Sequence, residues 1–202
     1  MREAFLLFFG KPLNIRGRLT LRGYASRYSR IDILARAVQT ASFLKLNGRM
    51  RVAGAFPLGE PDHYLLLVYE IDENCRLYNE KEIVHKLLRG LIKHDRDGCV
   101  WTDTVELEDT LNIVGRKMTP VRLSEEARDI SGSKLYLQAP LLWVLGANVD
   151  PPPKVDKLLE ERRAPRLSIG PKSYLASHVI AFILWRRNLT YQLRSPGGDI
   201  GL

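Results

Sequence analysis

Two short, continuous apolar runs constrain the fold of this chain more than any other feature. One is Ala4–Phe9 (AFLLFF), close to the start, and the other is Leu141–Leu145 (LLWVL), in the second half. A strand with one face in solvent alternates apolar and polar residues, whereas a strand covered on both faces is apolar throughout. Both runs are therefore predicted to be strands inside a sheet that has helices on both faces.

The rest of the sequence alternates between strand-like and helix-like patterns. Apolar residues at helical spacing predict helices over about 30–46, 80–94, 108–115, 154–163 and 173–187. Further strands are predicted at Arg51–Phe56, His63–Glu70, Val100–Leu107, Met118–Leu123 and Arg166–Ile169. This alternation indicates an α/β fold with a mainly parallel sheet. Residues 1–194 are predicted to form one domain, and residues 195–202 a flexible tail.

Small or flexible residues follow three of the predicted strands, at Phe56–Gly59, Leu145–Asn148 and Ile169–Pro171. Ligands of parallel α/β sheets bind beyond the carboxyl ends of the strands, so these segments predict a ligand cleft. The chain contains no GxGxxG, GxxxxGK[ST], GxSxG or HExxH motif. The common phosphate-binding loops, the nucleophile elbow of the hydrolases and the zinc-protease helix are therefore excluded.

Positive charge is concentrated at the two ends of the chain. Residues 1–51 hold 11 Lys/Arg against 2 Asp/Glu, residues 52–153 hold 11 against 17, and residues 154–202 hold 9 against 4. If both ends meet in the fold, they form a cationic face that binds nucleic acid with release of counterions. Scattered charges that serve only solubility are the alternative. The candidate RNA-binding residues are Arg16, Arg18, Arg22 and Arg27 in a basic loop, and Lys172 before the last helix.

Asp32 and Arg36 are four residues apart on the first predicted helix and therefore share a face. The carboxylate can accept a hydrogen bond from the N–H of a base, and the guanidinium can hold a carbonyl oxygen or a phosphate. The alternative is structural: Ser29 is the N-cap, Asp32 takes the capping-box position, and Arg36 forms an ordinary ion pair with it. Arg30 is the third candidate, and we expect it to face another direction.

The two cysteines, Cys75 and Cys99, belong to no CxxC pair, and no His/Cys cluster has zinc spacing. They are predicted to be reduced thiols of an intracellular protein that binds no metal. The apolar run at the start is short, and no small-residue cleavage site follows it, so it is not predicted to be a signal peptide. No apolar stretch reaches the length of a membrane span. We therefore expect a cytoplasmic protein.

Several segments, in order, resemble the archaeal tRNA pseudouridine N1-methyltransferases of the SPOUT class. The most specific is Leu167–His178 (LSIGPKSYLASH), which is similar to the serine–aliphatic–glycine–proline start of that family's last helix. The preceding knot loop of the family corresponds to Leu145–Pro153. The remaining matches are Met1–Glu3 with the strand after it, Arg30–Arg36, Val121–Glu125 and Arg128–Ile130.

The resemblance implies a C-terminal trefoil knot, a homodimer, and S-adenosylmethionine (SAM) bound in the knot. It also implies N1-methylation of pseudouridine in the T-loop of tRNA, with Asp32, Arg36 and Arg30 as catalytic candidates. Glycine allows a main chain to approach an adenine closely. The cofactor-binding candidates are Leu145, Gly146, Ser168, Ile169, Gly170 and Leu175.

One departure from the family pattern keeps two alternatives open. The family usually has Asp–His after the knot strand, where this chain has Ala147–Asn148. Unlike Asp and His, the side chains of Ala147 and Asn148 cannot titrate. One alternative is a methyltransferase for another structured RNA, such as a loop of ribosomal RNA. The other is a non-catalytic RNA-binding relative that keeps the fold.

Overall fold

The computed structural model describes residues 3–14, 21–44, 48–93, 98–132 and 140–194. Within these residues seven strands form one sheet, in the order β4-β3-β2-β1-β6-β5-β7. The strands are β1 (Glu3–Phe8), β2 (Met50–Pro57), β3 (His63–Ile71), β4 (Val100–Glu106), β5 (Thr119–Leu123), β6 (Leu141–Gly146) and β7 (Arg166–Leu167). The predicted tail at 195–202 lies outside the described residues.

The sheet is mainly parallel, as predicted. Strand β1 pairs in parallel with β2 and β6, and β5 pairs in parallel with β6 and β7. Strands β3 and β4 are antiparallel additions at one edge. Only the turn Leu58–Asp62 separates β2 from β3, which is too short for the crossover that a parallel pair requires. The five parallel strands therefore end together at one side of the sheet, here called the carboxyl edge, and begin at the amino edge.

Helices cover both faces of the sheet, which confirms the interpretation of the two apolar runs. One face packs against α2 (Ile31–Leu44), α3 (Glu80–Lys93) and α6 (Ala176–Arg194), and the other against α4 (Leu107–Val114) and α5 (Pro153–Glu161). A single turn, α1 (Tyr24–Arg27), precedes α2. No described helix is both long enough and apolar enough to cross a bilayer.

The last helix differs from its prediction at both ends. It begins at Ala176, three residues later than predicted, because Pro171 and Lys172 form a bend and residues 173–175 have no regular structure. It continues to Arg194, whereas the apolar pattern alone predicted an end near Arg187. The sequence between 187 and 194 contains no glycine or proline, so nothing in it breaks the helix.

The prediction of two reduced cysteines is wrong, because Cys75 and Cys99 form a disulfide with a Cα–Cα distance of 5.5 Å. The cause is strand register. Tyr69 near the end of β3 pairs with Val100 at the start of β4, so the segments beyond these two residues meet. The Tyr69 hydroxyl also donates a hydrogen bond to the Cys75 carbonyl at 2.9 Å. The CxxC and zinc-site spacings examined in the sequence do not reveal a disulfide that depends on the register of two strands.

We expect the Cys75→Ser/Cys99→Ser variant to lose about 2–4 kcal/mol of unfolding free energy. The bond closes a loop with a sequence separation of 24 residues, and without it the unfolded chain regains the conformational freedom of that loop. Denaturant unfolding of the oxidised wild type, the reduced wild type and the variant measures the effect. Equal midpoints for all three proteins would contradict the assignment of a stabilising disulfide.

A buried polar cluster joins the first strand to the last helix. The Trp143 indole on β6 donates a hydrogen bond to Glu3 Oε2 at 2.8 Å, and Arg187 of α6 forms an ion pair with Glu3 Oε1. Both Glu3 and Arg187 are almost completely buried. Burial raises the pKa of Glu3 to about 7 despite the neighbouring guanidinium, and burial likewise lowers the pKa of Arg187. This cluster holds α6 against the amino edge of the sheet.

Candidate functional site

Asp32 lies between two arginines at the start of α2. Arg30 Nε donates to Asp32 Oδ1 at 3.0 Å and Arg30 Nη2 donates to Oδ2 at 3.2 Å, while Arg36 Nη2 pairs with Oδ2. The expectation that Arg30 faces another direction is therefore wrong. The Asp32 side chain is 2% exposed, whereas those of Arg30 and Arg36 are 50% and 40% exposed. A buried carboxylate thus holds two guanidinium groups at the protein surface.

The backbone before α2 explains why Ser29 is not the predicted cap. Ser29 and Arg30 have φ angles of 50° and 67°, which are left-handed conformations that non-glycine residues seldom adopt. The Ser29 hydroxyl consequently donates to the Pro12 carbonyl instead of capping the helix. The capping-box prediction is wrong, and the predicted Asp32–Arg36 pair is confirmed. Strained backbone of this kind concentrates at functional sites.

Two members of this cluster were not identified from the sequence. Glu80, in the first turn of α3, lies 3.8 Å from Arg36 Nε and accepts a hydrogen bond from the Tyr24 hydroxyl. That hydrogen bond, with smaller contributions from burial and charge, raises the pKa of Tyr24 to about 12, so the phenol stays a donor. The packing of α3 against α2 brings these groups together, and no spacing in the sequence indicates it.

The cluster lies at the carboxyl edge because α2 connects the end of β1 with the start of β2. The loop after β6 lies at the same edge, where the Ala147 amide donates to the Phe8 carbonyl at 2.9 Å. A Cβ atom on Gly146 would lie 2.0 Å from the Val149 carbonyl oxygen, so only glycine allows the loop to fold back over this position. Ala147 packs partly against the core.

The segment after β7 also ends at this edge. Ser168 exchanges backbone hydrogen bonds of 2.8 Å with Arg128 and Ile130. The Ser168 hydroxyl accepts a hydrogen bond from the Gly170 amide at 3.0 Å. Gly170 has a φ of 146°, and a Cβ atom there would lie 2.8 Å from the Tyr174 hydroxyl. The backbone conformation therefore favours glycine at this position, whereas the exposed tyrosine ring could move away from a Cβ atom.

These segments fit an adenosine-containing cofactor. Main-chain groups of two glycine-containing loops meet at one edge, which suits recognition of a purine by backbone donors and acceptors. Leu145 is buried and Ile169 partly buried, while Leu175 is 58% exposed beside the exposed ring of Tyr174. Exposed apolar side chains beside polar main chain suit a flat aromatic ligand. Two cavities among the described residues lie near the amino edge, so the fit of the cofactor is argued here from the two loops at the carboxyl edge.

The predicted RNA-binding residues are only partly described. Arg22 and Lys172 are exposed. Arg16 and Arg18 lie outside the described residues, and so does the side chain of Arg27. Among the described residues no group of three or more His, Cys, Asp or Glu side chains is arranged to hold a metal ion.

We expect Gly146→Ala to weaken SAM binding by roughly tenfold or more, because the new methyl group forces the 147–150 loop to move. Isothermal titration with SAM measures the change. Gly90→Ala is the matched control, since its Cβ would also clash, at 2.4 Å from a Val100 methyl group, but on α3 and beside the start of β4. If the folded Gly146→Ala protein keeps wild-type affinity, the loop after β6 is not part of the cofactor site.

Comparison with solved structures gives the class of the fold. The chain superimposes on Archaeoglobus fulgidus Nep1, solved with bound S-adenosylhomocysteine, with a TM-score of 0.64 and 15% identity. The match covers 95% of this chain and 99% of the Nep1 chain. This chain therefore has the α/β fold of Nep1.

Sequence comparison gives the family. Residues 4–189 match the family model described as "Putative SAM-dependent RNA methyltransferase", and the chain belongs to this family. A Methanosarcina mazei protein is 29% identical over 99% of this chain and 98% of its own length. An Aeropyrum pernix protein is 26% identical over 83% and 85%, and a Pyrococcus abyssi protein 25% identical over 81% and 87%. All three are named tRNA (pseudouridine(54)-N(1))-methyltransferase, which confirms the resemblance.

Proposed function

We propose that this chain transfers a methyl group from SAM to N1 of a pseudouridine in the T-loop of tRNA. The observation that carries the proposal is the joint position of two groups at the carboxyl edge. One is the buried Asp32 with its two exposed arginines, and the other is the pair of loops containing Gly146 and Gly170. The names of the full-length relatives support the choice of base and atom.

Arg30 and Arg36 are the groups that contact the target nucleotide in this proposal. Their planar guanidinium groups suit a base carbonyl or a phosphate, and their exposure leaves donor groups free to turn toward RNA. Asp32 accepts three hydrogen bonds from them and has one further acceptor position. Its main role is then to position the arginines, and accepting a hydrogen bond from the N1–H group is a second role.

The cofactor contacts proposed here are main-chain groups near Gly146 and Ile169–Gly170, with Leu145 and Leu175 against the purine. Ser168 fixes the turn at Gly170 through its hydroxyl. When bound, the cofactor supplies an electrophilic methyl group, and the chain has to align the base nitrogen with it and exclude water. The target base lies in a loop, where it can leave the stack and enter the site.

The C-terminal trefoil knot stays a prediction. It is supported by the return of the chain after α5, because β7 adds to the sheet beside β5 while Ser168 pairs with Arg128 and Ile130. The chain then crosses to α6, which packs on α2 and reaches Glu3 at the start of β1. The cytoplasmic location also stays a prediction.

The homodimer is a further part of the proposal. Helix α6 buries Ile180, Ile183 and Leu184 within the subunit, yet its outer side carries Trp185, which is 51% exposed, and Leu189. Exposed aromatic residues of this kind are enriched in protein interfaces. We expect a dimer by light scattering, and a shift toward monomer for Trp185→Glu. A wild-type monomer at working concentration would contradict the dimer.

The deciding experiment combines cofactor titration with a methylation assay. We expect SAM and S-adenosylhomocysteine to bind at micromolar strength. We expect mass spectrometry to find one methyl group added to a tRNA that contains pseudouridine in its T-loop, and none added to the same tRNA with uridine. Methylation of both tRNAs, or only of ribosomal RNA, would favour the alternative substrate. Cofactor and RNA binding without any transfer would favour the non-catalytic relative.

A further inference from the structure

A cavity of about 290 Å³ opens at the amino edge of the sheet, at the far end of the strands from the candidate active site. The six residues of β1 alone separate the two edges by about 20 Å. The cavity contains four cationic side chains and two carboxylates, which are Arg49, Arg51, Arg116, Lys117, Glu3 and Glu70. Nothing in the proposed methyl transfer uses these groups.

Both carboxylates of the cavity have partners inside the protein. Glu70 accepts hydrogen bonds from Arg51 Nε at 2.7 Å and from the Trp101 indole at 3.3 Å. Arg51 also donates to the last carbonyls of α4, at 3.4 Å. Glu3 is held by Arg187 and Trp143. These internal pairs compensate the charges of Glu3, Glu70 and Arg51, so neither carboxylate of the cavity is unpaired.

The three remaining cations face solvent. Arg49, Arg116 and Lys117 are exposed, and in the part of the chain that the structure describes they have no hydrogen-bond or ion-pair partner. Three uncompensated positive charges around one concave surface attract anions strongly. Because the groups are exposed and come from two separate loops, they suit an extended polyanion better than an enclosed small ligand.

The turn that carries Arg116 and Lys117 is held in place by a backbone hydrogen bond and by packing against the sheet. The Met118 amide donates to the Gly115 carbonyl at 2.8 Å, and Lys117 has a left-handed φ of 61°. A Cβ atom on Gly115 would lie 2.5 Å from Leu142, so the turn rests directly on β6. A second cavity of about 230 Å³ is also lined by Arg116 and Lys117. The two cations therefore contribute to two concave surfaces.

We propose that the amino-edge cavity binds phosphate groups of an RNA backbone, through Arg49, Arg116 and Lys117. This proposal rests on the proposed function, which makes RNA the substrate. An RNA whose loop reaches the carboxyl edge extends along the protein, so other parts of its backbone can reach the amino edge. Contacts to phosphates position an RNA without reading its sequence. This site supplies affinity and register, and the carboxyl edge supplies the choice of base.

The test compares two double variants of the full chain. Arg116→Gln/Lys117→Asn removes two charges from the cavity, and asparagine tolerates the left-handed backbone. Lys157→Gln/Arg163→Asn removes two exposed charges from the middle of α5 and the turn after it, and Arg163 also has a left-handed φ, of 53°. Neither control residue lines either cavity. Fluorescence anisotropy with a tRNA transcript, repeated over a series of salt concentrations, gives the dissociation constants.

We expect the cavity variant to bind RNA roughly tenfold more weakly and its salt slope to fall by about one to two, while the control changes little. We expect the KM of the cavity variant for RNA to rise, while its kcat and its affinity for SAM stay unchanged. Equal loss in both variants, or no loss in either, would overturn the proposal. Titration with inorganic pyrophosphate distinguishes an RNA backbone from a small phosphate ligand. If the wild type and the control bind pyrophosphate saturably, and the cavity variant loses that binding but keeps its RNA affinity, the ligand is a small phosphate compound and not RNA. RNA binding is measured without methyl transfer, so an inactive protein would refute the proposed function and still test this site.

Discussion

Replacing Arg187 with methionine is expected to lower the free energy of unfolding by about 3–5 kcal/mol. Methionine has a similar length and fits the buried space on α6, so packing changes little. The loss comes from Glu3, which keeps its buried carboxyl group but loses the cation that pairs with it. Among the described residues, only the Trp143 indole then remains as a hydrogen-bond partner of that carboxyl group.

The double variant Glu3→Gln/Arg187→Met separates the ion pair from the packing. A neutral amide can still accept the hydrogen bond of Trp143, so we expect the double variant to recover most of the stability that Arg187→Met loses. Urea unfolding of the wild type, both single variants and the double variant gives the coupling energy. Arg166→Met is the control, because its partner Glu160 is exposed and the pair contributes about 0–1 kcal/mol. Equal losses for Arg187→Met and Arg166→Met would contradict a buried role for Arg187.

The same carboxyl group makes stability depend on pH. Burial raises the pKa of folded Glu3 from its ordinary value of 4.5 to about 7. Its contribution to stability is complete below pH 4.5, where both folded and unfolded forms are protonated, and it is lost as pH rises through about 7. Relative to Glu3→Gln, the wild type is therefore expected to lose stability between these values. Parallel curves for the two proteins would show that Glu3 does not titrate in this window.

Most of the fold could be predicted because the information is local. The runs Ala4–Phe9 and Leu141–Leu145 became neighbouring central strands, since a strand that is apolar on both sides has to be covered on both faces. The start of α3 is local in the same way, because asparagine is a favoured N-cap residue and the Asn79 side chain accepts hydrogen bonds from the Lys81 and Glu82 amides. The features that were missed depend on tertiary contacts, such as the disulfide that follows from the register of β3 with β4.

The candidate site shows the same division. The pairing of Asp32 with Arg36 follows from helical spacing alone. The second arginine does not, because it depends on two left-handed residues before α2 whose side chains, serine and arginine, give no sign of that backbone. Glu80 reaches the cluster only through the packing of α3 against α2. The sequence therefore predicts the carboxylate and its partner four residues later, whereas the other members of the cluster are found only in the folded structure.

Asp32→Asn is expected to lower kcat/KM for tRNA methylation by about 100-fold with SAM affinity unchanged. The amide keeps the shape of the buried side chain but loses the charge that holds two arginines in place. Because those arginines are partly exposed, water can solvate them and the variant should stay folded. Asp156→Asn is the matched control: Asp156 also lies in the first turn of a helix and pairs with an arginine, on the opposite face of the sheet. It should leave methyl transfer unchanged, and an equal loss in both variants would point to a general effect on stability.

Arg36→Lys then distinguishes the two roles of Asp32. Lysine keeps the positive charge but cannot form the planar two-point contact of a guanidinium. If Asp32 acts by positioning the arginines, Arg36→Lys should reproduce most of the loss seen in Asp32→Asn, and the pH profile of kcat should keep its shape. If Asp32 contacts the N1–H group itself, Arg36→Lys should retain most activity, while Asp32→Asn should alter the pH profile. The three hydrogen bonds that Asp32 accepts from Arg30 and Arg36 favour the first result, because they leave the carboxylate little capacity for the base.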